Sequence, residues 1–381
     1  MSTDYGYHGV PRWDDFSLDD EMRARKRFSR FFISLFVFLI IANLSAVAIQ
    51  FGISIIFGAD KSAEIASSPY FVWILQVVSM YILAFPAMWL IVRPMRNTVR
   101  SKKILSIKEF IVYFLIAEGL MTVGNLLGNI LSVFFSSLVG YDLSNNTSEL
   151  ILSSPVWIII LVAVIIGPIV EELIFRKLLM DKLGMYGDRI AIIVSAVSFG
   201  VFHGNIFQVF YAAMLGALLA YIYSRTGKIL YTIGLHILIN FFGSVIPLPF
   251  ARASEKLLEM SELMMSGAEI DIAEYSSLGF MVGAYTLVQY GLAIAGLVLL
   301  VRKYRSRGFF VSDRCEVLIP KNRRVSVIIK NAGMIFFIVI ISVTFIISLL
   351  PDISQFTGIT PTPDEGANIM SQISALLKGA I

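Results

Sequence analysis

Apolar residues in this chain neither alternate nor keep to one helical face. They come in unbroken runs of roughly 20 residues, the length a helix needs to cross about 30 Å of hydrocarbon. We count about nine such runs: Phe31–Phe57, Pro69–Val92, Phe110–Leu138, Pro155–Leu179, Ile190–Phe202, Ile206–Tyr223, Ile229–Leu248, Leu278–Val301 and Ala332–Leu350. The fifth is the shortest. The first follows a polar segment and is too long for the apolar stretch of a signal peptide, so it reads as a span. The pattern predicts an all-α fold, a polytopic membrane helix bundle.

Composition agrees with that reading. Of 381 residues, 57% are hydrophobic and only 15% charged, where a soluble domain carries roughly 25%. The mean hydropathy of +0.79 makes the bilayer the expected solvent and a multi-pass cell-membrane location the expectation. Lys and Arg cluster in every second connection: Arg23 to Arg30, Arg93 to Lys108, Lys177 to Arg189, Arg225 and Lys228, then Arg302 to Arg324. By the positive-inside rule this predicts a cytoplasmic N-terminus and, with an odd number of spans, an outside C-terminus. The net charge of +4 is thus an orientation signal, and no nucleic-acid partner is expected.

The expected organisation is a cytoplasmic polar and basic segment over 1–30, three spans over 31–138, and a core over 155–249. An outer amphipathic loop over 250–277 follows, then two spans over 278–350 enclosing a basic cytoplasmic loop at 302–330, and an outer polar tail over 351–381. Within the outer loop, Leu257, Leu258, Met264 and Met265 share a helical face suited to a membrane surface. Gly124 and Gly128 form a GxxxG pair that lets helices approach closely, with a dimer contact as one use. Asn145 and Asn146 begin formal glycosylation sequons, meaningful only where a host modifies that face.

A charge inside a span costs roughly 2.5–3.5 kcal/mol on insertion scales, so each one needs a partner or a purpose. The fourth run carries Glu171, Glu172 and Arg176; the fifth ends in Phe199 and His203; the seventh carries His236 and Asn240. Glu172 and Arg176 are four apart with the acid first, the favourable order for an intrahelical ion pair, and this pair reads as structural. Glu171 points about 100° away from Glu172. Phe199 shares a face with His203, as core or as cavity wall, and His236 shares one with Asn240. At 1.5 Å per residue, His203 lies roughly 21 Å above Arg189, Asn240 roughly 18 Å and His236 roughly 12 Å above Lys228. Glu171 joins that level at roughly 18 Å if its helix runs on to about Leu183, which predicts a cavity open to the cytoplasm. Glu118, with Asn125 and Asn129, reads as an interhelical polar contact outside the site.

The chemistry follows from the residue types. A carboxylate in an apolar cavity is suited to accept a proton from water, so Glu171 with His203 could activate a hydrolytic water. His236 and Asn240 can both donate to the oxyanion formed when water attacks an amide. No Ser or Cys nucleophile is needed, and Cys315, the one cysteine, lies in a basic loop.

The ordered set E-E-x-x-x-R at Glu171, Glu172 and Arg176, F-x-x-x-H at Phe199 and His203, and H-x-x-x-N at His236 and Asn240 resembles the CPBP (Abi or CAAX-protease) family of intramembrane proteases. That family includes the eukaryotic prenyl-protein endopeptidase of the Rce1 type. The resemblance covers about Pro155 to Pro249. It implies Glu171 and His203 as the water-activating pair, His236 and Asn240 as the oxyanion hole, and Glu172 and Arg176 as supports. Members have also been described as metalloproteases, so a Zn²⁺ held by Glu171, Glu172, His203 and His236 is the alternative to catalysis with no cofactor; the chain has no HExxH. Lys177 stands where many members have Gly, at a site mouth expected on the cytoplasmic side. The implied partners are the lipid bilayer and a membrane-associated or lipidated protein or peptide substrate. Two other readings stay open: a non-proteolytic scaffold or bacteriocin-immunity protein, and a proton-coupled transporter using Glu118, Glu171 and Glu172.

Overall fold

The computed structural model describes residues 16–98, 100, 103–143, 145–309, 311 and 315–350, and its regular elements are all helices. His8, Lys102, Arg314 and the tail over 351–381 lie outside the described residues, and so does the side on which the C-terminus emerges.

The helices are α1 (Leu18–Phe57), α2 (Ala59–Ala66), α3 (Pro69–Val92), α4 (Ile107–Val139), α5 (Asn146–Ser153) and α6 (Val156–Tyr186). They continue with α7 (Asp188–Phe202), α8 (Ile206–Thr226), α9 (Ile229–Met265), α10 (Ile272–Arg305), α11 (Lys321–Ile329) and α12 (Ala332–Leu349). Eight of these, α1, α3, α4, α6, α8, α9, α10 and α12, are long and apolar enough to cross a membrane. The protein is therefore a multi-pass integral membrane protein. The short fifth run is α7, whose 15 residues span about 22 Å. It stops at His203 and turns through Asn205, whose side chain caps α8 by accepting from the Gln208 amide. Such a broken hairpin is tolerated at membrane depth where it lines a cavity.

Large exposed apolar side chains, such as Phe280 and Leu287 on α10, are the lipid-facing surface of such a bundle. Inside, one packed core joins α1, α3, α6, α7 and α12 through Phe28, Phe32, Phe38, Phe175 and Phe337. A second joins α4, α8 and α9 through Ile116, Leu219, Leu235 and Ile239. Between them lie α6 to α9, which carry the polar groups picked out above.

Contacts between connections define two faces. On the basic one, the Thr98 amide donates to the Asp181 carbonyl at 2.6 Å, Arg100 pairs with Asp188 at 2.6 Å, and the Lys103 amide donates to Thr226 at 3.0 Å. The Glu316 amide reaches the Met185 carbonyl there too, at 2.8 Å. On the opposite face, Trp73 Nε1 donates to Ser154 Oγ at 2.8 Å and Gln208 Nε2 to Thr147 Oγ1 at 2.8 Å. Alternation of basic and basic-poor connections in the chain thus corresponds to two coherent ends of the bundle.

The Gly124 and Gly128 pair is used within the chain. A Cβ at Gly124 would lie 2.3 Å from Tyr211 Cα, and one at Gly128 would lie 2.7 Å from the Phe207 carbonyl oxygen. The α4 and α8 backbones cross at these two positions because neither has a side chain. A Gly124→Leu variant is expected to lose about 1–3 kcal/mol by overpacking, read as a lower thermal midpoint in detergent. Gly279→Leu, where nothing lies within 4 Å, should leave the midpoint unchanged; equal midpoints for both variants would contradict the assigned crossing.

Candidate active site

The fourth span does not keep one helical pitch. Wider π-type turns over Ile159–Ile166 and Leu173–Met180 flank the α-helical Gly167–Glu172, and another, Phe241–Val245, follows Asn240 on α9. Insertions of this type turn side chains out of the regular helical phase and recur at functional sites. Here they bracket Glu171, Glu172 and Asn240.

Glu172 and Arg176 are both fully buried. Glu172 Oε2 lies 3.1 Å from Arg176 Nε. The contact is an ion pair without an aligned hydrogen bond: Nε, Nη1 and Nη2 of Arg176 find no hydrogen-bond partner among the described residues. The guanidinium instead lies 4.7 Å over the ring of Phe199, a cation–π contact that strengthens where water is excluded. The other carboxylate oxygen of Glu172 lies 3.0 Å from Nδ1 of His236. Thr232, one turn before His236, is buried and donates its hydroxyl to the Ile229 carbonyl at 3.0 Å. An ionised carboxylate only accepts, so His236 gives its Nδ1 proton to Glu172, which turns Nε2 towards Glu171 Oε2, 3.6 Å away.

His203 closes α7. Its Nδ1 is 2.8 Å from the Phe199 carbonyl oxygen, so Nδ1 carries the proton and Nε2 keeps its lone pair. The Phe199 ring stands edge-on between the two imidazoles, 5.0 Å from His203 and 5.7 Å from His236 by ring centroids. Phe199 is thus both core and cavity wall: it is 1% exposed, yet it lines the cavity. Asn240 Nδ2 donates to the Ala163 carbonyl at 2.9 Å, and its second N–H remains for another acceptor.

Glu171, Phe199, His203, His236 and Asn240 all line one cavity of about 830 Å³. Glu172 and Arg176 lie behind this wall. Glu171, with 23% of its side chain exposed, is the carboxylate that reaches into the space. Glu118 is buried on α4 and does not line it, whereas Asn125 and Asn129 do, so those two asparagines belong to the cavity. Residues not placed at the site by the sequence reading also line it: Gln76 and Tyr81 of α3, Tyr211 of α8, and most of α5. The signal for Gln76 was a polar residue in an apolar run; α5 offered none.

Two expectations are corrected by this geometry. The cavity does not open towards the basic connections: it extends to the α5 segment on the opposite face, and Phe175, Arg176, Leu179, Met180 and Leu183 fill the basic side with almost no exposed surface. Lys177 is also not at the mouth. It pairs with Asp181 at 2.8 Å on the basic side.

Among the described residues no group of three or more His, Cys, Asp or Glu side chains is placed to hold a metal ion. Glu172 is committed to Arg176 and His236, and His203 Nδ1 to a carbonyl.

Fold and site together define a multi-pass membrane protein with a polar constellation in a buried cavity, held by three adjacent helices. Residues 153–242 match the family described as "Type II CAAX prenyl endopeptidase Rce1-like". Over this segment, about a quarter of the chain, the protein is similar to the Rce1-like family. It is similar to the Bacillus subtilis (strain 168) protein named "Putative membrane peptidase YdiL", 29% identical over 131 residues, which are 34% of this chain and 54% of that protein. The chain thus spans about half the length of the curated relative it matches. No solved structure matches.

Removing Arg176 alone leaves Glu172 as an unpaired buried charge, which costs about 3–5 kcal/mol. Arg176→Met should therefore unfold well below wild type in detergent, and adding Glu172→Gln, which keeps an acceptor for His236, should recover most of the loss. Additive losses in the double variant would contradict the ion pair.

Proposed function

We propose that this protein is an intramembrane endopeptidase that hydrolyses a peptide bond in a membrane-associated protein or peptide. The observation that carries the reading is the convergence of Glu171, His203, His236 and Asn240 from three helices on one cavity, with His236 oriented from behind by a buried carboxylate. Asn240 keeps a spare N–H and His203 a spare lone pair for these roles.

In the proposed reaction, Glu171, helped by the Nε2 lone pair of His203, takes a proton from water as its oxygen attacks the carbonyl carbon. The C=O electron pair moves to oxygen, and the oxyanion accepts hydrogen bonds from Asn240 Nδ2 and His236 Nε2. Because His236 Nδ1–H is given to Glu172, Nε2 donates only when it too carries a proton. The intermediate collapses, the C–N bond breaks, and the proton held by Glu171 passes to the leaving nitrogen. This scheme routes no step through a metal. The family name carries prenylated CAAX proteins as a substrate class, while leader peptides and membrane segments fit the same bilayer-level chemistry.

Glu171→Gln and His203→Ala should each lower cleavage by roughly 10²–10⁴-fold while the protein still inserts. The direct assay is substrate trapping with Glu171→Gln, followed by mass spectrometry of the captured chains and cleavage of the captured chain by wild type. Unchanged turnover in these variants would remove the assigned mechanism, and a phenotype kept by both would favour a scaffold or immunity role. Chelation followed by dialysis should leave the rate intact; loss with recovery on adding Zn²⁺ would replace the glutamate scheme.

A further inference from the structure

The cavity has a direction and a chemical character that the peptidase reading does not use. Its inner end is Glu171, His203 and His236, and its outer end is α5, residues 146–153, in a connection with no Lys or Arg. Below Glu171 the bundle is closed: Phe175, Arg176, Leu179 and Leu183 expose at most 1% of their surface. From that layer to the basic face there is continuous packing, ending in the buried Asp181, held by Arg100 and by the Tyr223 hydroxyl. By the positive-inside rule the basic face is cytoplasmic. Lys61, Arg252 and Lys256 are the basic residues of the opposite connections among those described.

The lining is rich in side-chain amides. Gln76, Asn125, Asn129, Asn145 and Gln208 border the path from α5 to the site, and Asn125 and Asn129, one turn apart on α4, are exposed. A side-chain amide presents a donor and an acceptor side by side, which matches the backbone of an extended peptide. No Lys or Arg lines the cavity. A carboxylate drawn into it would lose its hydration beside the carboxylates of Glu149 and Glu171, a cost that neutral segments escape.

We propose that the site is entered from the non-cytoplasmic face and takes an extended, uncharged internal peptide segment, not a chain end bearing a free carboxylate. This rests on the peptidase reading for the cleavage but not for the side of entry. The substrates it selects are exported or membrane-anchored chains whose scissile stretch lies at the outer leaflet. Such a chain threads past α5, its backbone meets the amides of α4 and α8, and its scissile carbonyl reaches His236 and Asn240.

The test has two arms. In a Cys315→Ser background, Asn129→Cys marks the cavity and Ser306→Cys, exposed at the end of α10, marks the basic face. A membrane-impermeant thiol reagent should label Asn129→Cys in intact spheroplasts and Ser306→Cys only in inverted vesicles. Labelling of Asn129→Cys only in inverted vesicles would overturn the side of entry whatever the fate of the enzyme assay. In the second arm a pool of uncharged extended peptides, each made with a C-terminal amide and with a free acid, is added to spheroplasts and to inverted vesicles. Wild type should cut from the spheroplast side, Glu171→Gln should not, and amide and acid forms should differ little when the cut is internal. A preference for free acids near the cut of about tenfold, worth 1.4 kcal/mol, would overturn the substrate class. Cleavage in neither preparation, with labelling as expected, would sink the peptidase reading and leave the side of entry standing.

Discussion

A carboxylate and a guanidinium with no exposed surface, Glu172 and Arg176, are the groups on which the rest of the site depends. Neither is tolerable alone in a low-dielectric interior, where the effective desolvation cost is several kcal/mol per ion. Their mutual contact at 3.1 Å, the Phe199 ring under the guanidinium, and the imidazole of His236 on the second carboxylate oxygen offset that cost. Each partner is thereby fixed. Phe199 is held against Arg176 and separates the two imidazoles, His236 is held in one orientation, and Glu171, one residue before Glu172, is left to face the cavity.

This arrangement explains how titratable groups are held so deep in an apolar bundle. The ion pair is fully buried behind the cavity wall, which in the proposed reading makes it a positioning element. The groups with free donors or lone pairs, Glu171, His203 Nε2 and the second N–H of Asn240, are the ones that line the space. Irregular helix supports the same division. The π-type turns flank Glu171 and Glu172, and α7 stops early at His203, which borders the cavity.

Much of the site was legible in the sequence because charge within an apolar span is expensive and therefore rare. Glu171, Glu172, Arg176, His203 and His236 stand out against their neighbours for that reason, and the same cost implies that they meet. Uncharged polar residues cost less and carry less signal, so Gln76, Tyr81 and Thr232 passed as ordinary members of spans. The depth arithmetic placed the polar groups at one level but could not say which side of that level was packed shut. That depends on Phe175, Leu179 and Leu183 finding partners on α1, α3 and α7, a tertiary fact with no local pattern. Likewise the GxxxG pair announced a close approach without naming α8 as the partner.

The scarcity of histidine makes the central claim open to direct measurement, since only His8, His203 and His236 contribute. ¹⁵N ring shifts of histidine-labelled protein in bilayers report the proton on each nitrogen. The account predicts protonated Nδ1 at both His203 and His236, and a Glu172→Gln variant that shifts the His236 ring signals while leaving those of His203 in place. A His236 ring with bare Nδ1, or one indifferent to the loss of the Glu172 charge, would contradict the claim that a buried carboxylate orients the site.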